Sequence, residues 1–278
     1  MNWNINDNIF YWGQKTYIMG ILNTTPDSFS DGGEFDNLEA ALSQAKKMVD
    51  RGASIIDIGG ESTRPNAESV ALAEELNRVV PIIQHIRRFS SIPISIDTTK
   101  AKVAEAAIAE GANIINDISG GTFDAEMLPT AAKLNVPIIL MHIKGNPQTM
   151  QQLANYEDVV AEVMQFLTER VEKAIACGVT RENIAIDPGI GFAKNDRQNI
   201  ELLKRLSEFE TLNLPILIGV SRKSFIGRIL ERNNPKERVW GTAAACCSAI
   251  SSGADILRVH DVAEMHDVCR IADAIWRE

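Results

Sequence analysis

The chain has 278 residues, of which 45% are hydrophobic and 23% are charged, proportions that are ordinary for a globular protein. This length can bury a large core, so a disordered chain and a small disulfide scaffold are excluded, and one α/β domain of barrel size fits it well. Twenty-eight Lys and Arg residues against 37 Asp and Glu residues give a net charge of −9, which argues against nonspecific binding to nucleic acid or anionic lipid.

Short runs rich in β-branched residues recur along the chain and predict eight strands. In chain order these are Tyr17–Asn23, Ser54–Gly60, Pro93–Thr99, Asn113–Ser119, Pro137–Ile143, Asn183–Gly189, Pro215–Ser221 and Asp255–His260. Stretches of helical periodicity lie between most of them, such as Leu38–Arg51, Ala101–Ala109 and Asp158–Cys177. This alternation predicts a parallel sheet closed into a single (β/α)8 TIM barrel, with a doubly wound open sheet as the alternative. We expect residues 1–16 to form a hairpin that caps the bottom of a barrel domain over 17–278.

A polar side chain falls at or just beyond the last apolar residue of every predicted strand. These side chains are Asn23, Asp57, Asp97, Asn116, His142, Asp187, Ser221 and His260. In a (β/α)8 barrel all of these positions face one rim, where the loops that follow the strands build the active site. Helix capping accounts for some of them, but eight of eight exceeds what capping requires. The pattern therefore predicts a small-molecule enzyme site at this rim.

The first two predicted strands run into long loops, NTTPDSFSDGG from Asn23 and DIGGESTRP from Asp57. Connections from strand to helix usually take about 2–6 residues. Long loops at the catalytic rim are typical of lids that close over a substrate.

Both loops belong to a series of segments that resembles the dihydropteroate synthase family across nearly the whole chain. The segments are MGILNTTPDSFSDGG, IIDIGGESTRP, ISIDTTK, NIINDISGG, MHIKGNPQTMQ, IAIDPGIGFAKN, IGVSRKSFIG and RVHDV. The resemblance implies a transferase of folate synthesis. Its reaction condenses 6-hydroxymethyl-7,8-dihydropterin diphosphate with p-aminobenzoate to give 7,8-dihydropteroate and pyrophosphate.

The resemblance implies that the pterin is bound by Asp97, Asn116, Asp187 and Lys223. A pterin ring carries N–H donors and ring acceptors along its edges, and a buried site must pair each of them because an unpaired polar group costs about 1–3 kcal/mol. Lys223 is expected near the start of a helix, where a cation is poorly placed electrostatically, and this favours a functional role. Asp117 competes with Asn116 for the pterin contact.

A second group of residues suits the diphosphate. Arg258 and His260 alternate along the last predicted strand and should point the same way, and closure of the barrel places Asn23 beside them. Barrels commonly hold phosphate near their seventh and eighth strands. The resemblance implies that these two residues bind the diphosphate together with Thr63. It further implies a Mg²⁺ ion held by Asn23, phosphate oxygens and water, which suits an ion that rarely uses an all-protein cage.

The same resemblance places p-aminobenzoate, and sulfonamides as inhibitors that mimic it, at Thr63, Arg64 and Pro65. Phe29 and Pro65 offer apolar faces for the benzene ring, and Ser224 is expected near its carboxylate. For His142, two interpretations stay open, support of the site from behind and packing in the core.

The implied reaction is SN1-like, since a pterin ring can stabilise a cation at the carbon that loses diphosphate. Catalysis then consists mostly of electrostatic stabilisation and positioning. The residues expected to supply it are Asn23, Asp97, Asp187, Lys223 and Arg258. We assign no general base, and stabilisation of the cation by Asp97 or Asp187 is a hypothesis.

Three alternative functions fit these residues less well. A pterin-binding methyltransferase barrel would not need the two long loops or the Arg258 and His260 pair, and a non-catalytic paralogue would be expected to lack residues such as Asn23. A Schiff-base aldolase would need a lysine at the end of a central strand, whereas Lys144 and Lys223 lie beyond their strands.

Compartment and assembly are expected from general features. No apolar run approaches the roughly 18 residues that cross a bilayer, and the first residues lack the basic and apolar regions of a signal peptide. The four cysteines show no CxxC or zinc-type spacing. We therefore expect a reduced, cytoplasmic protein without a membrane segment, and the family resemblance implies a homodimer.

Overall fold

The computed structural model describes residues 2–24, 34–65 and 67–277. The strands in them are β1 Asn2–Ile5, β2 Asn8–Tyr11, β3 Tyr17–Asn23, β4 Ile55–Gly59, β5 Ile94–Asp97, β6 Ile114–Asp117, β7 Ile138–Met141, β8 Ile184–Asp187, β9 Leu217–Ile218 and β10 Ile256–Val259. The α-helices are α1 Glu34–Asp50, α2 Leu72–Arg87, α3 Ala101–Ala109, α4 Met127–Leu134, α5 Val159–Ala176, α6 Asp196–Lys204, α7 Ser224–Ile229, α8 Val239–Ser251 and α9 Val262–Trp276.

Strands β3 to β10 form one parallel sheet in the order β8-β7-β6-β5-β4-β3-β10-β9. The sheet closes where Ile186 forms a parallel bridge to Ile216 and where the N–H of Ile186 donates to the carbonyl oxygen of Pro215 at 2.9 Å. Closure joins β8 to the segment that enters β9, so the predicted (β/α)8 barrel is confirmed and the open doubly wound sheet is wrong. All eight predicted strands are present, the shortest being β9, with two residues.

Helix α5 begins at a side-chain cap, and α1 begins at Glu34, four residues before the predicted Leu38. Before α5, the carboxylate of Asp158 accepts hydrogen bonds from the backbone N–H groups of Val160 and Ala161 at 2.9 and 3.0 Å, which satisfies donors that the first helical turn leaves free. The buried face of α5 repeats every three to four residues, through Val160, Val163 and Leu167. The predicted helix Ala101–Ala109 has the same bounds in the structure.

The inner face of the barrel changes from apolar to polar toward the ends of its strands. Its bottom layer is formed by Met19, Ile55, Ile114, Ile139, Ala185, Leu217 and Ile256. Side chains on one face of a strand repeat every two residues, so the next inward positions are Asp57, Asn116, Asp187 and Arg258. This single step along four strands places a ring of charged and amide groups at the mouth of the barrel, above an apolar plug.

The hairpin of β1 and β2 covers the bottom of the barrel. Trp3 and Phe10 are paired across it and are both buried against the apolar bottom layer. The ring of Phe10 lies 4.7 Å from that of Tyr17, measured between centroids. The backbone N–H of Thr16 donates to Asp273 at 2.7 Å, which ties the connection to α9. These contacts support our proposal of a capping extension over 1–16 and a barrel domain over 17–278.

Of the helices in the described ranges, none is both long enough and apolar enough to cross a bilayer. The four cysteines are free thiols, with Cys246 and Cys269 buried.

Candidate active site in the barrel mouth

A buried ion-pair network occupies the mouth of the barrel. Arg258 Nε donates to Asp57 Oδ2 at 2.6 Å, and Arg258 Nη2 donates to Asp97 Oδ2 at 2.6 Å. The amide of Asn116 donates to the same Asp57 oxygen at 3.2 Å. The forked guanidinium therefore joins β10 to β4 and β5 across the barrel, and it holds two carboxylates that would otherwise repel each other.

Each of these carboxylates keeps one oxygen free. Within the described residues, Oδ1 of Asp97 and Oδ1 of Asp57 are buried and have no hydrogen-bond partner. Burial raises the pKa of Asp97 to about 7, against the opposing charge of Arg258. A buried acceptor without a donor is costly, so the site is prepared for a ligand that brings N–H groups to this face.

Asp187 and Lys223 form the opposite side of the mouth. Asp187 Oδ1 accepts a hydrogen bond from the backbone N–H of Gly189 at 2.7 Å, and burial raises the pKa of Asp187 to about 6. Burial also lowers the pKa of Lys223 to about 8, while the nearby Asp187 raises it. The ammonium of Lys223 lies 4.2 Å from the centroid of the Phe192 ring. This pair presents one acceptor group and one cation to the same space.

The structure separates Asn116 from its competitor Asp117. Asn116 has the inward position of β6, whereas Asp117 is the next residue and points to the other face of the strand. The Asp117 carboxylate accepts hydrogen bonds from the Ser119 N–H at 2.8 Å, the Ser119 hydroxyl at 2.7 Å and the Gly121 N–H at 2.8 Å. Asp117 therefore organises the loop after β6, and Asn116 is left as the candidate ligand-binding amide.

Replacing Asp117 with alanine should lower stability with little change in ligand affinity. The substitution leaves buried N–H groups of Ser119 and Gly121 without an acceptor, at a cost of about 1–3 kcal/mol each. Thermal unfolding should shift down by several degrees, while calorimetric titration with pteroic acid should give nearly the native Kd. Asn116→Ala is the matched comparison and should show the reverse pattern. Equal loss of affinity in both variants would contradict this assignment.

His260 and Ser221 lie beside the network at the end of β10. The Ser221 hydroxyl accepts the backbone N–H of His260 at 3.1 Å and lies 3.0 Å from Nδ1 of its ring. Burial and the charges of Arg222 and Arg258 lower the pKa of His260 to about 3. The imidazole is therefore neutral at pH 7, and it can serve as a hydrogen-bond donor without adding a charge.

Arg222 was not singled out by sequence reasoning, although it directly precedes Lys223. Its backbone adopts a left-handed conformation, with φ of 59°, and its Nε donates to Asp261 Oδ2 at 2.9 Å. Its charge acts on His260. The cationic side of the mouth thus includes one more arginine than the strand pattern predicted.

The loop after β4 carries Thr63, Arg64 and Pro65 at the rim. Thr63 is half-buried, and the other two residues are exposed. Glu61 at the start of this loop forms an ion pair with Lys100, which anchors the loop next to β5. The charge of Arg64 is among those that lower the pKa of His260, so this arginine lies within electrostatic range of the diphosphate candidates.

Two further residues predicted from the sequence lie outside the network around Arg258 in the part of the chain that the structure describes. Asn23 is the last residue of β3, half-buried and opposite Gly59 in register. Ser224 is the first residue of α7 and is exposed, and its hydroxyl accepts from Arg228 at 3.3 Å. Phe29 lies outside the described residues.

His142 does not belong to the inward ring. Its side chain is 1% exposed, packs edge-on against Phe166 at 4.9 Å between ring centroids, and lies 3.0 Å from Nζ of the buried Lys194. Core packing and support of the site from behind, the two interpretations of His142, both hold in part. His142 packs in the protein interior, and it also contacts Lys194 in a turn that borders the site.

Comparison with known proteins agrees with this geometry. The family model described as "Pterin binding enzyme" matches residues 19–260. The dihydropteroate synthase of Synechocystis is 59% identical over 273 residues, which cover 98% of this chain and 94% of that protein. The chain belongs to the dihydropteroate synthase family. The family resemblance and the transferase class predicted from the sequence are thereby confirmed.

Solved structures of the family have the same fold. The dihydropteroate synthase of Clostridium difficile, determined in the presence of pteroic acid, has a TM-score of 0.92 at 47% identity, over 97% of this chain and 100% of that chain. The Yersinia pestis dihydropteroate synthase in complex with a sulfonamide drug has a TM-score of 0.93 at 41% identity, over 99% of both chains.

Phe192 is the aromatic residue beside Lys223 that sequence reasoning missed, although it lies in the quoted segment IAIDPGIGFAKN, where it comes directly after the second of two glycines.

Proposed function

We propose that this chain condenses 6-hydroxymethyl-7,8-dihydropterin diphosphate with p-aminobenzoate to give 7,8-dihydropteroate and pyrophosphate. The observation that carries the proposal is the ring of inward polar groups in the barrel mouth, where buried carboxylate oxygens face a guanidinium and an ammonium. In such a site the carboxylates can bind the N–H groups of a flat ring, and the cations can bind a phosphate group. The family to which the chain belongs supports the same chemistry.

Pterin recognition is assigned to Asp97, Asn116, Asp187 and Lys223. The free Oδ1 of Asp97 is a ready acceptor for the ring N–H and amino donors, and the Asn116 amide both donates and accepts. Lys223 supplies a donor for the acceptor edge of the ring. Burial of the carboxylates and the amide makes these bonds strong and selective, since a ligand without matching donors leaves the acceptors unpaired.

The diphosphate is assigned to Arg258 and His260, with Thr63 as a further contact. Arg258 already uses Nε and Nη2 for the two carboxylates, so it offers its remaining donors to the phosphate. Neutral His260 adds an uncharged donor, while Arg222 and Arg64 contribute positive charge nearby. These side chains place positive charge where we propose that the diphosphate binds, although Asp261 pairs with Arg222 and the whole chain carries −9.

For p-aminobenzoate we propose the outer part of the mouth, formed by Thr63, Arg64, Pro65, Ser224 and Phe192. Pro65 and Phe192 supply apolar faces for the benzene ring. The exposed positions of Arg64 and Ser224 leave polar groups for its carboxylate. A sulfonamide presents a similar aniline ring and acidic group, which supports inhibition by competition for this surface. Phe29, also predicted here, remains a proposal on sequence grounds.

The oxygen atoms available in the mouth fit a Mg²⁺ ion that is held mainly by the substrate. Within the described ranges, no group of three or more His, Cys, Asp or Glu side chains could hold a metal by itself. Mg²⁺ prefers oxygen ligands and keeps waters and substrate phosphates, so the amide oxygen of Asn23 at the end of β3 is the protein ligand we propose. When bound, the ion would neutralise charge on the departing pyrophosphate.

Replacing Asn23 with alanine should raise the Mg²⁺ concentration needed for half-maximal turnover by about tenfold, as expected for the loss of one metal ligand contact. The exposed Asn233→Ala variant should match the native enzyme. Chelation by EDTA should stop turnover in the native enzyme and in both variants until Mg²⁺ is restored. Full activity in EDTA would contradict the Mg²⁺ proposal.

The reaction is proposed to proceed by departure of pyrophosphate before capture of the pterin carbon by the aniline nitrogen. Arg258 and His260 stabilise the leaving group, and Asp97 and Asp187 face the ring that carries the developing positive charge. Lys223 holds the acceptor edge of the pterin ring, and Phe192 positions the second substrate. These roles amount to electrostatic stabilisation and alignment, which supply most of the acceleration in such displacements.

The test measures pyrophosphate release from the pterin diphosphate with Mg²⁺, with and without p-aminobenzoate. Turnover that depends on the amine supports the synthase. Tight binding of pterin without turnover would identify a non-catalytic paralogue, and binding without amine-dependent release but with methyl transfer would identify a methyltransferase.

We further propose a homodimer in the cytoplasm. Large apolar side chains are exposed on three consecutive helices, with exposed fractions of 60% for Ile229, 80% for Trp240, 65% for Ile271 and 63% for Ile275. Exposed apolar surface of this kind marks association sites. Four free thiols fit a reducing compartment. Sedimentation equilibrium tests the dimer, and cell fractionation tests the compartment; a monomer mass or a membrane-bound pool would contradict them.

A further inference from the structure

A lysine outside the proposed binding set is buried directly behind the Asp187 side of the mouth. Lys194 is 3% exposed. Its Nζ lies 3.0 Å from Nδ1 of His142, 2.9 Å from the carbonyl oxygen of Gly189 and 2.8 Å from the carbonyl oxygen of Phe192. Lysine is almost never fully buried without partners, and all three partners here border the site.

The three contacts fit a charged lysine beside a neutral histidine. An ammonium has three donors and no acceptor, and the three neighbouring atoms can all accept, provided that Nδ1 of His142 carries no proton. Burial and the charge of Lys194 lower the pKa of His142, which agrees with a neutral ring protonated at Nε2. Burial lowers the pKa of Lys194 well below its usual value, and the charge of Asp187 opposes this; the three acceptors around Nζ are what favours the ammonium. The geometry is that of an ammonium with all its donors used.

The segment between Asp187 and Lys194 follows a tightly constrained path. Gly189 and Gly191 have φ of +72° and +84°, and Ala193 has φ of 50° despite its side chain. A Cβ added at Gly189 would lie 2.1 Å from the carbonyl oxygen of His142. Such a backbone persists only when its surroundings hold it.

We infer that Lys194 is a positioning residue that holds this turn in the shape required by the active site. Gly189 donates its N–H to Asp187 and gives its carbonyl to Lys194, so one residue links the proposed pterin ligand to the buried ammonium. Phe192 gives its carbonyl to Lys194 while its ring lies beside Lys223. The Lys194 bonds therefore fix both the Asp187 contact and the Phe192 face.

This inference rests on the proposed function for its kinetic consequence. A turn released from Lys194 would move Phe192 relative to Lys223, and a displacement of about 1 Å at a reacting site can cost on the order of 100-fold. The effect should be concentrated on p-aminobenzoate, because Phe192 borders its proposed site. Arg258, in contrast, forms its hydrogen bonds with Asp57 and Asp97 and none with the turn in the described residues.

The test uses Lys194→Met, which keeps an unbranched side chain, one atom shorter, and removes all three donors. We expect kcat/KM for p-aminobenzoate to fall about 10–100-fold, mostly through KM. The matched control is Lys144→Met, a lysine on the neighbouring loop that pairs with the half-exposed Glu162 at 2.8 Å, and its kinetics should remain nearly native. Equal losses in both variants, or no loss in Lys194→Met, would overturn the inference.

A double-mutant cycle with Phe192→Leu separates positioning from general stability. If Lys194 acts through Phe192, the double variant should lose less than the product of the single losses by about threefold or more. Losses that simply multiply would overturn the inference. Should Lys194→Met fail to fold, Lys194→Gln keeps an N–H donor and should show the same coupling with a smaller loss.

The same cycle read by calorimetric binding of pteroic acid does not need turnover. A native chain that binds pteroic acid but releases no pyrophosphate would contradict the proposed function and leave the Lys194 coupling measurable. Turnover in the native chain with no coupling in either readout would overturn the positioning role alone.

Discussion

Replacing Arg258 with methionine should lower kcat/KM for the pterin diphosphate by about 10²–10³-fold, the loss expected when a preorganised electrostatic group is removed. Arg258 is the only residue in the described part of the mouth that joins Asp57 and Asp97, and it is proposed to meet the leaving group as well. Its removal leaves two buried carboxylates without their partner, so the free energy of unfolding should also fall, by about 3–5 kcal/mol. Steady-state kinetics and chemical denaturation measure the two effects.

One further variant separates the charge of Arg258 from its hydrogen-bond geometry, and a second variant serves as a control. Arg258→Lys keeps a positive charge but cannot form two parallel hydrogen bonds, so its activity should lie between those of the native enzyme and Arg258→Met. Arg51→Met removes an exposed arginine just after α1 and should leave kinetics unchanged. Near-native turnover in a folded Arg258→Met protein would remove this residue from the mechanism.

Affinity for a pterin ligand should fall about tenfold between pH 8 and pH 6. Burial raises the pKa of Asp97 to about 7, and the ligand N–H groups need the carboxylate, which is lost as the pH falls through that value. Burial lowers the pKa of Lys223 to about 8, so its positive charge is lost as the pH rises above that value. Calorimetric titration across this range should therefore show an optimum at about pH 7–8.

Asp97→Asn tests the origin of this dependence. The variant should bind a pterin ligand about 10–100-fold more weakly at pH 8, because one charge-assisted bond and its acceptor are lost. It should also lose most of the change between pH 8 and pH 6. Asp267→Asn, with its side chain 83% exposed, is the control and should keep the native profile. An unchanged slope in Asp97→Asn would assign the titration to another group.

The eight barrel strands could be predicted because each is a short apolar run between turn signals, with helical periodicity on either side. Their lengths could not be predicted as well. The run Pro215–Ser221 contains only the two-residue strand β9, since the twist and tilt of a closed barrel decide where two strands keep hydrogen-bonding distance. Closure itself, through Ile186 and Ile216, is a contact between distant segments that local patterns do not encode.

The inward face could not be read from the strands. Barrel strands are buried by helices on one side and by the barrel interior on the other, so apolar residues do not alternate with polar ones. Asn116 was the predicted pterin residue with Asp117 as a competitor, and the register of β6 places the first inside and the second in the loop-supporting role. The pairing of β3 with both β4 and β10 places Asp57 and Arg258 on the same inward face.

The contacts between loops were the hardest to anticipate. Phe192, Arg222 and Lys194 each lie within a quoted motif, yet their roles depend on partners from other segments, as in the approach of Lys194 to His142. A buried lysine cannot be distinguished from a solvated one in sequence, because only the packed structure decides which charges lose their water.

The sequence by itself determined the family, the parallel barrel and the set of polar residues at its rim, because these depend on local periodicity and on motifs that are continuous in the chain. Only the tertiary structure decided which of those residues face one another, which carboxylate oxygens lack a partner and how far burial moves their pKa values. The physical reason is that hydrogen bonding and desolvation depend on distances between segments that the chain brings together only when the barrel closes.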